Sequence, residues 1–97
     1  MPDHARLIRI AKYRANPGVR EELLARMEEL ATAMRDLQGL FGAQVCTINE
    51  APEWLALVSR WQDEEALRQI EGTPAARVLE ELAGLVEQEE IEHLISV

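Results

Sequence analysis

Apolar and polar positions alternate along "ARLIRIAKYR", residues 5–14, with Ile8 and Ile10 on one side and Leu7, Arg9, Ala11 and Tyr13 on the other. A period of two belongs to a strand, and this segment is read as the first. The period then changes: Leu23, Met27, Leu30 and Met34 recur at spacings of three and four, and Leu24 and Ala31 widen the stripe. That is one face of an amphipathic helix. Asn16 is placed to cap it, Pro17 suits its first position, and Glu21 and Glu22 favour its first turn. Glu22 and Arg26 offer an i,i+4 pair on its outer face. The stripe fades near residue 36, and Gly39 stops the helix.

"FGAQVCTIN" (41–49) and "EWLALVSRW" (53–61) read as two strands joined by a short connection, a hairpin apolar on both faces. Asp63 caps the next helix, whose inner face is Ala66, Leu67 and Ile70 until Gly72. Thr73 and Pro74 restart helical structure, and Val78, Leu79, Leu82 and Leu85 carry its stripe to about residue 86. "EIEHLISV" (90–97) mixes alternation with β-branched residues and closes the chain as a last strand.

The order β-α-β-β-α-β predicts an α+β, ferredoxin-like fold: a four-stranded antiparallel sheet with both helices on one face. The other face is then uncovered. Strands this apolar call for a second sheet there, and an identical subunit about a two-fold axis supplies one, so a homodimer through the open sheet face is expected. The size points the same way, since a chain of 97 residues makes a single domain, 1–97, and buries only about 60–65% of its unfolded surface.

Charge narrows the partners. Eighteen acidic against 10 basic residues leave a net charge of -8, which repels nucleic acid and an anionic bilayer alike. The start "MPDHARLIRI" has no apolar stretch of signal-peptide length, and no run approaches a membrane span, so a cytoplasmic protein is expected. The single cysteine, Cys46, has no disulfide partner in the chain and reads as a packing thiol rather than a reactive one. No Cys/His cluster, phosphate loop or dinucleotide fingerprint is present, and neither a metal nor a cofactor is expected.

The pieces "RIAKYRANPGVREELL", "LQGLFGAQV" and "LALVSRWQDEEALRQIEGTPAARVLEEL", in that order, make the chain similar to the antibiotic biosynthesis monooxygenase family of the dimeric α+β barrel superfamily. The resemblance implies a homodimer with one pocket per subunit between sheet and helices, where small aromatic or quinol-like molecules are oxidised by O2 without metal or flavin. It also implies where the match thins. Trp61 falls on the pocket tryptophan of the polyketide-anthrone oxidising members, but their Asn, Tyr and Arg correspond to Leu57, Leu67 and about Glu80. The Asn, Trp and His of the haem-degrading branch correspond to Ala11, Ile70 and about Glu80, so haem degradation is not expected. Where many relatives have a His after the helix-restarting Pro, this chain has Ala76.

Five residues remain as candidates for chemistry. Trp61 either seals the core or forms a pocket wall, with Ser59 and Leu57 beside it on the same strand face. Arg9 cannot shed its proton, so burial would require either a carboxylate, such as a helix glutamate, or an anionic oxygen of a ligand. Tyr13 is a core aromatic or a phenol donor into the same space. His93, between Ile91 and Ile95, is the one sensible general base, or else an interface histidine. With Glu89 it could approach a metal ion, although two ligands make no site. His4 sits in an N-terminus expected to fray. The expected assignment is therefore His93 and Arg9 catalytic and Tyr13, Ser59 and Trp61 substrate-binding. The alternative is a non-catalytic ligand-binding or accessory protein of the same fold.

Overall fold

The computed structural model describes residues 6–97, so His4 lies outside the described residues. The elements run β1 (Leu7–Ala15), α1 (Arg20–Met34), β2 (Leu40–Thr47), β3 (Trp54–Trp61), α2 (Glu64–Arg68), α3 (Pro74–Ala83) and β4 (Val86–Ile95). The four strands form one sheet in the order β2-β3-β1-β4, and every neighbouring pair is antiparallel. This is the ferredoxin-like arrangement that the order of elements predicts, with the helical segment between β3 and β4 broken into α2 and α3 at the Thr73-Pro74 restart.

The strand register fixes which residues share a face. Leu7 lies opposite Trp61, Arg9 opposite Ser59, Ala11 opposite Leu57 and Tyr13 opposite Leu55. Leu7, Ala11, Tyr13 and Ala15 are buried, as are Leu55, Leu57, Ser59 and Trp61. They meet the buried stripe of α1, Leu23, Met27, Leu30 and Met34, together with Ala75, Val78 and Leu82 of α3. The core is thus a single layer between one face of the sheet and the helices.

Several boundaries differ from expectation. Asn16 and Pro17 do not open α1, because Gly18 at φ +83 is incompatible with a helical turn; the chain first makes a Val19 N–H to Asn16 C=O turn at 3.2 Å. Val19 then stands at the N-cap with no side-chain cap, and the Asn16 amide donates instead to the Gly84 carbonyl at 3.3 Å, tying β1 to the end of α3. Arg26 pairs with Glu29 at 2.9 Å rather than with Glu22. Gly39, expected as the helix stop, enters β2 at φ +81, and a Cβ there would lie 2.7 Å from the Ala66 Cβ. Asp63 caps α2 as predicted, accepting from the Ala66 N–H at 2.9 Å. Thr73 occupies the N-cap position of α3, but its hydroxyl donates back to the Ile70 carbonyl at 2.7 Å.

β4 begins at Val86, four positions before the expected residue 90. "VEQEE" carries no apolar alternation because this strand is at the sheet edge and exposed on both faces; it is held to β1 by the backbone ladder and by ion pairs of Glu87 and Glu90 with Arg14 and Lys12. Its helix-side positions, Glu89, Ile91, His93 and Ile95, are all exposed, whereas the equivalent positions of β1 and β3 are buried or half-buried. The main helix contacts are α1 with α3, β2 and β3, and α2 with β3. The helical layer therefore stops short of β4.

Candidate functional site

The five candidates lie on one face of the sheet but not in one environment. Trp61 and Ser59 are two residues apart on β3, so both point toward the helices, and both have 0% relative exposure. The indole Nε1–H donates to Ser59 Oγ at 2.8 Å, so each supplies the buried partner that the other needs. Tight packing around the pair includes Leu7, directly across the β1–β3 ladder from Trp61. The spacing in "SRW" was the signal that could have found this bond, since positions i and i+2 of a strand share a face.

Arg9, Tyr13 and His93 lie farther out. Arg9 is opposite Ser59 on one flank and opposite His93 on the other, so the chain places its two candidate catalytic residues as direct cross-strand neighbours. Residues opposed in this way have Cβ atoms about 4.5–5.5 Å apart. Tyr13, one turn of the pleat beyond Ala11, pairs with Glu89. Arg9 is half-buried, Tyr13 almost wholly buried at 2% exposure, and His93 and Glu89 exposed. The site is a step at the margin of the helical layer: its floor is β1, its inner side is the closed core at Ser59, and its outer side is the uncovered strand β4.

Electrostatics separates the two faces of the β1–β4 ladder. Lys12 pairs with Glu90 at 3.4 Å and Arg14 with Glu87 at 3.8 Å, both with β4 carboxylates. Arg9 has no ion pair among the described residues. A helix glutamate, one of the two partners expected for it, is therefore not there. Burial pushes the Tyr13 phenol above its ordinary value; the Arg9 guanidinium opposes the rise and the Glu89 carboxylate adds to it. Tyr13 is thus a neutral O–H donor at physiological pH.

Among the described residues no group of three His, Cys, Asp or Glu side chains could hold a metal ion, so Glu89 and His93 stand without the third ligand a site would need. Cys46 is half-buried on β2, pairs by register with Ala56, and has no acidic or basic role in the step. Leu57, Leu67 and Ala76 are engaged in packing: Leu57 is fully buried, and Leu67 and Ala76 lie against the core.

Two measurements test this division. Ser59→Ala leaves the buried indole N–H without an acceptor, so urea denaturation is expected to show a loss of about 1–3 kcal/mol, with Ser59→Thr losing less. Tyr13 is the single tyrosine of the chain, so phenolate absorbance reads it alone. Its midpoint is expected above 10, the ordinary value, and higher still in Arg9→Met. The folded chain keeps a proton that the unfolded chain has released, so this contribution to stability is intact below the ordinary phenol pKa and is lost as pH rises through the folded value. A midpoint at or below the ordinary value would contradict the buried placement.

The profile of the family described as Antibiotic biosynthesis monooxygenase matches residues 6–82. No protein of curated function matches the chain. Solved structures match over nearly their whole length at low identity. A conserved protein from Methanosarcina mazei has a TM-score of 0.88 at 21% identity, with 98% of this chain and 96% of that chain covered. PA3566 from Pseudomonas aeruginosa has 0.85 at 21%, covering 97% and 96%. A structure described as an antibiotic biosynthesis monooxygenase has 0.83 at 18%, covering 94% and 98%. At such identities the structures speak for the fold, while the profile spans most of the sequence, including β1 with Arg9 and Tyr13 and β3 with Ser59 and Trp61. The chain belongs to the antibiotic biosynthesis monooxygenase family.

Proposed function

We propose that the protein is a homodimeric, cofactor-independent monooxygenase acting on a small aromatic or quinol-like molecule at the Arg9–His93 step. The observation that carries this reading is the direct opposition of Arg9 and His93 on β1 and β4, with the neutral Tyr13 phenol on the same face, in a chain of this family. His93 takes a proton from the electron-rich substrate, and Arg9 stabilises the negative charge that develops on its oxygen. The resulting anion supplies the electrons that reduce O2. At an anthrone-type CH2 one oxygen atom enters as a carbonyl and the other leaves as water with the two carbon-bound hydrogens; at a quinol ring C–H the product is a hydroxyquinone, and the other oxygen again leaves as water.

Trp61 and Ser59 serve this site as its inner wall, because their polar atoms are committed to each other and have no exposed surface. A non-catalytic, ligand-binding protein of the same fold is the second reading. Leu57, Leu67 and Ala76 favour it, since they put packing side chains where the resembling oxidising relatives carry polar ones.

The dimer is proposed through the face of the sheet away from the helices. Ile8, Ile10, Trp54 and Val58 lie there half-buried, and Leu94 is exposed at 42%, with no second layer over them among the described residues. No helix among the described residues is long and apolar enough to cross a membrane, so a membrane-spanning helix does not supply the cover. Light scattering is expected to give twice the chain mass of 11.0 kDa, and Ile10→Lys, at the centre of the face, to shift it toward the monomer. A monomeric wild type would remove this part of the proposal.

Oxygen-electrode uptake with a panel of hydroquinones and anthrone-like phenols tests the activity. Catalysed uptake is expected, falling by roughly 100-fold in Arg9→Ala, the scale of removing one donor to a developing oxyanion. Uptake no faster than buffer, with thermal shifts still reporting a bound aromatic, would leave the binding-protein reading.

A further inference from the structure

The neighbours of Arg9 can be read from the register. Along β1 they are Leu7 and Ala11; across on β3 lie Ser59 and, diagonally, Leu57 and Trp61; across on β4 lie His93 and, diagonally, Ile91 and Ile95. None is a carboxylate. The other two cations of the strand, Lys12 and Arg14, each meet a β4 glutamate. The next helix-side carboxylate, Glu89, stands opposite Tyr13 instead. Arg9, half-buried and bonded to the Tyr13 phenol oxygen, faces a histidine, two isoleucines and a serine whose hydroxyl already accepts an indole N–H, and among the described residues it has no anionic partner.

Apolar surface adjoins the same point. Ile91 and Ile95, flanking His93 on this face, are 42% and 72% exposed. An occupant that satisfies both features has an anionic oxygen at one end and an apolar ring beside it. We infer that the ligand of this step is an aromatic anion, its carboxylate or phenolate oxygen held by Arg9 with Tyr13 O–H as a second donor, and its ring laid against Ile91. The inference rests on the reading of this step as the ligand site, and it adds a requirement that oxidation alone does not impose: the ligand arrives already charged. Arg9 then selects the ligand in the ground state, and neutral quinols of the same shape bind less well. A guanidinium suits this role because its planar fork can give two parallel N–H donors to one carboxylate.

Isothermal titration without O2 separates binding from turnover. Salicylate is compared with salicyl alcohol for the carboxylate arm, and para-nitrophenolate with para-nitroanisole for the phenolate arm. Wild type is expected to bind at least one anion about tenfold or more tightly than its neutral counterpart, the factor that about 1.4 kcal/mol gives. The preference is expected to fall below about twofold in Arg9→Met and to persist in part in Arg9→Lys, which keeps the charge without the fork. Arg9→Lys also serves if Arg9→Met does not fold. Equal affinity for anion and neutral partner, an undiminished preference in Arg9→Met, or no binding by any of the four probes would overturn the inference. An Arg9-dependent anion preference in a protein that consumes no O2 would sink the monooxygenase reading and leave this one standing; catalysed uptake of neutral quinols without anion preference would do the reverse.

Discussion

The register of β1 against its two neighbours is the constraint on which the rest of the structure depends. β1 is central, hydrogen-bonded to β3 on one side and β4 on the other. Side chains alternate with period two, so a slip of one residue would carry Leu7, Ala11 and Tyr13 out of the core and bring Ile8, Ile10 and Lys12 into it. Burying the Lys12 ammonium would cost several kcal/mol, and the Lys12–Glu90 pair would be lost with it. Fold and site share this requirement. The alternation that fills the core also sets Arg9 against His93.

Two kinds of polar chemistry are then kept apart by the edge of the helical layer. Under the helices, Ser59 and Trp61 close on each other, and a buried indole gains its large contact area without leaving its N–H unpaired. At the margin, Arg9 bonds the Tyr13 phenol but has no ion pair among the described residues. Tyr13 joins the two zones: its ring belongs to the core, and its phenol feels the Arg9 and Glu89 charges at the margin. The tryptophan at the strand end is therefore closed within the core, and the arginine in the middle of β1 stands at the margin of the helical layer.

Much of the fold was legible in the sequence because apolar periodicity is a direct record of which faces are covered. The α1 stripe and the Asp63 cap were read in place for that reason. The element limits that shifted did so where coverage is weak or the backbone is special. Pro17 promised a helix start, but Gly18 with its positive φ turned the chain first. β4 has neither face covered, so its first residues carry no apolar signature. The shared face of Arg9 and Tyr13 on β1 was legible from the alternation. The opposition of Arg9 and His93 was not, because pairing between strands 84 positions apart depends on the whole topology.

The acidic excess of the chain has a structural part in this arrangement. Glu87, Glu89, Glu90 and Glu92 lie along β4, whose outer side is a free sheet edge, and charges on such an edge discourage pairing with further strands. Of these, Glu89 shares the face of the Arg9 step and gives its approach a negative potential, whereas Glu90 and Glu92 stand opposite Lys12 and Ile10 on the other face. Screening limits that field to about 8 Å at physiological salt, so an anion is opposed on approach and attracted only at contact with Arg9. Recognition of an anion here therefore depends on short-range, directional hydrogen bonds from the guanidinium rather than on long-range steering. Such a site discriminates by the shape of the anion as well as its charge, which is the advantage of arginine over lysine at this position.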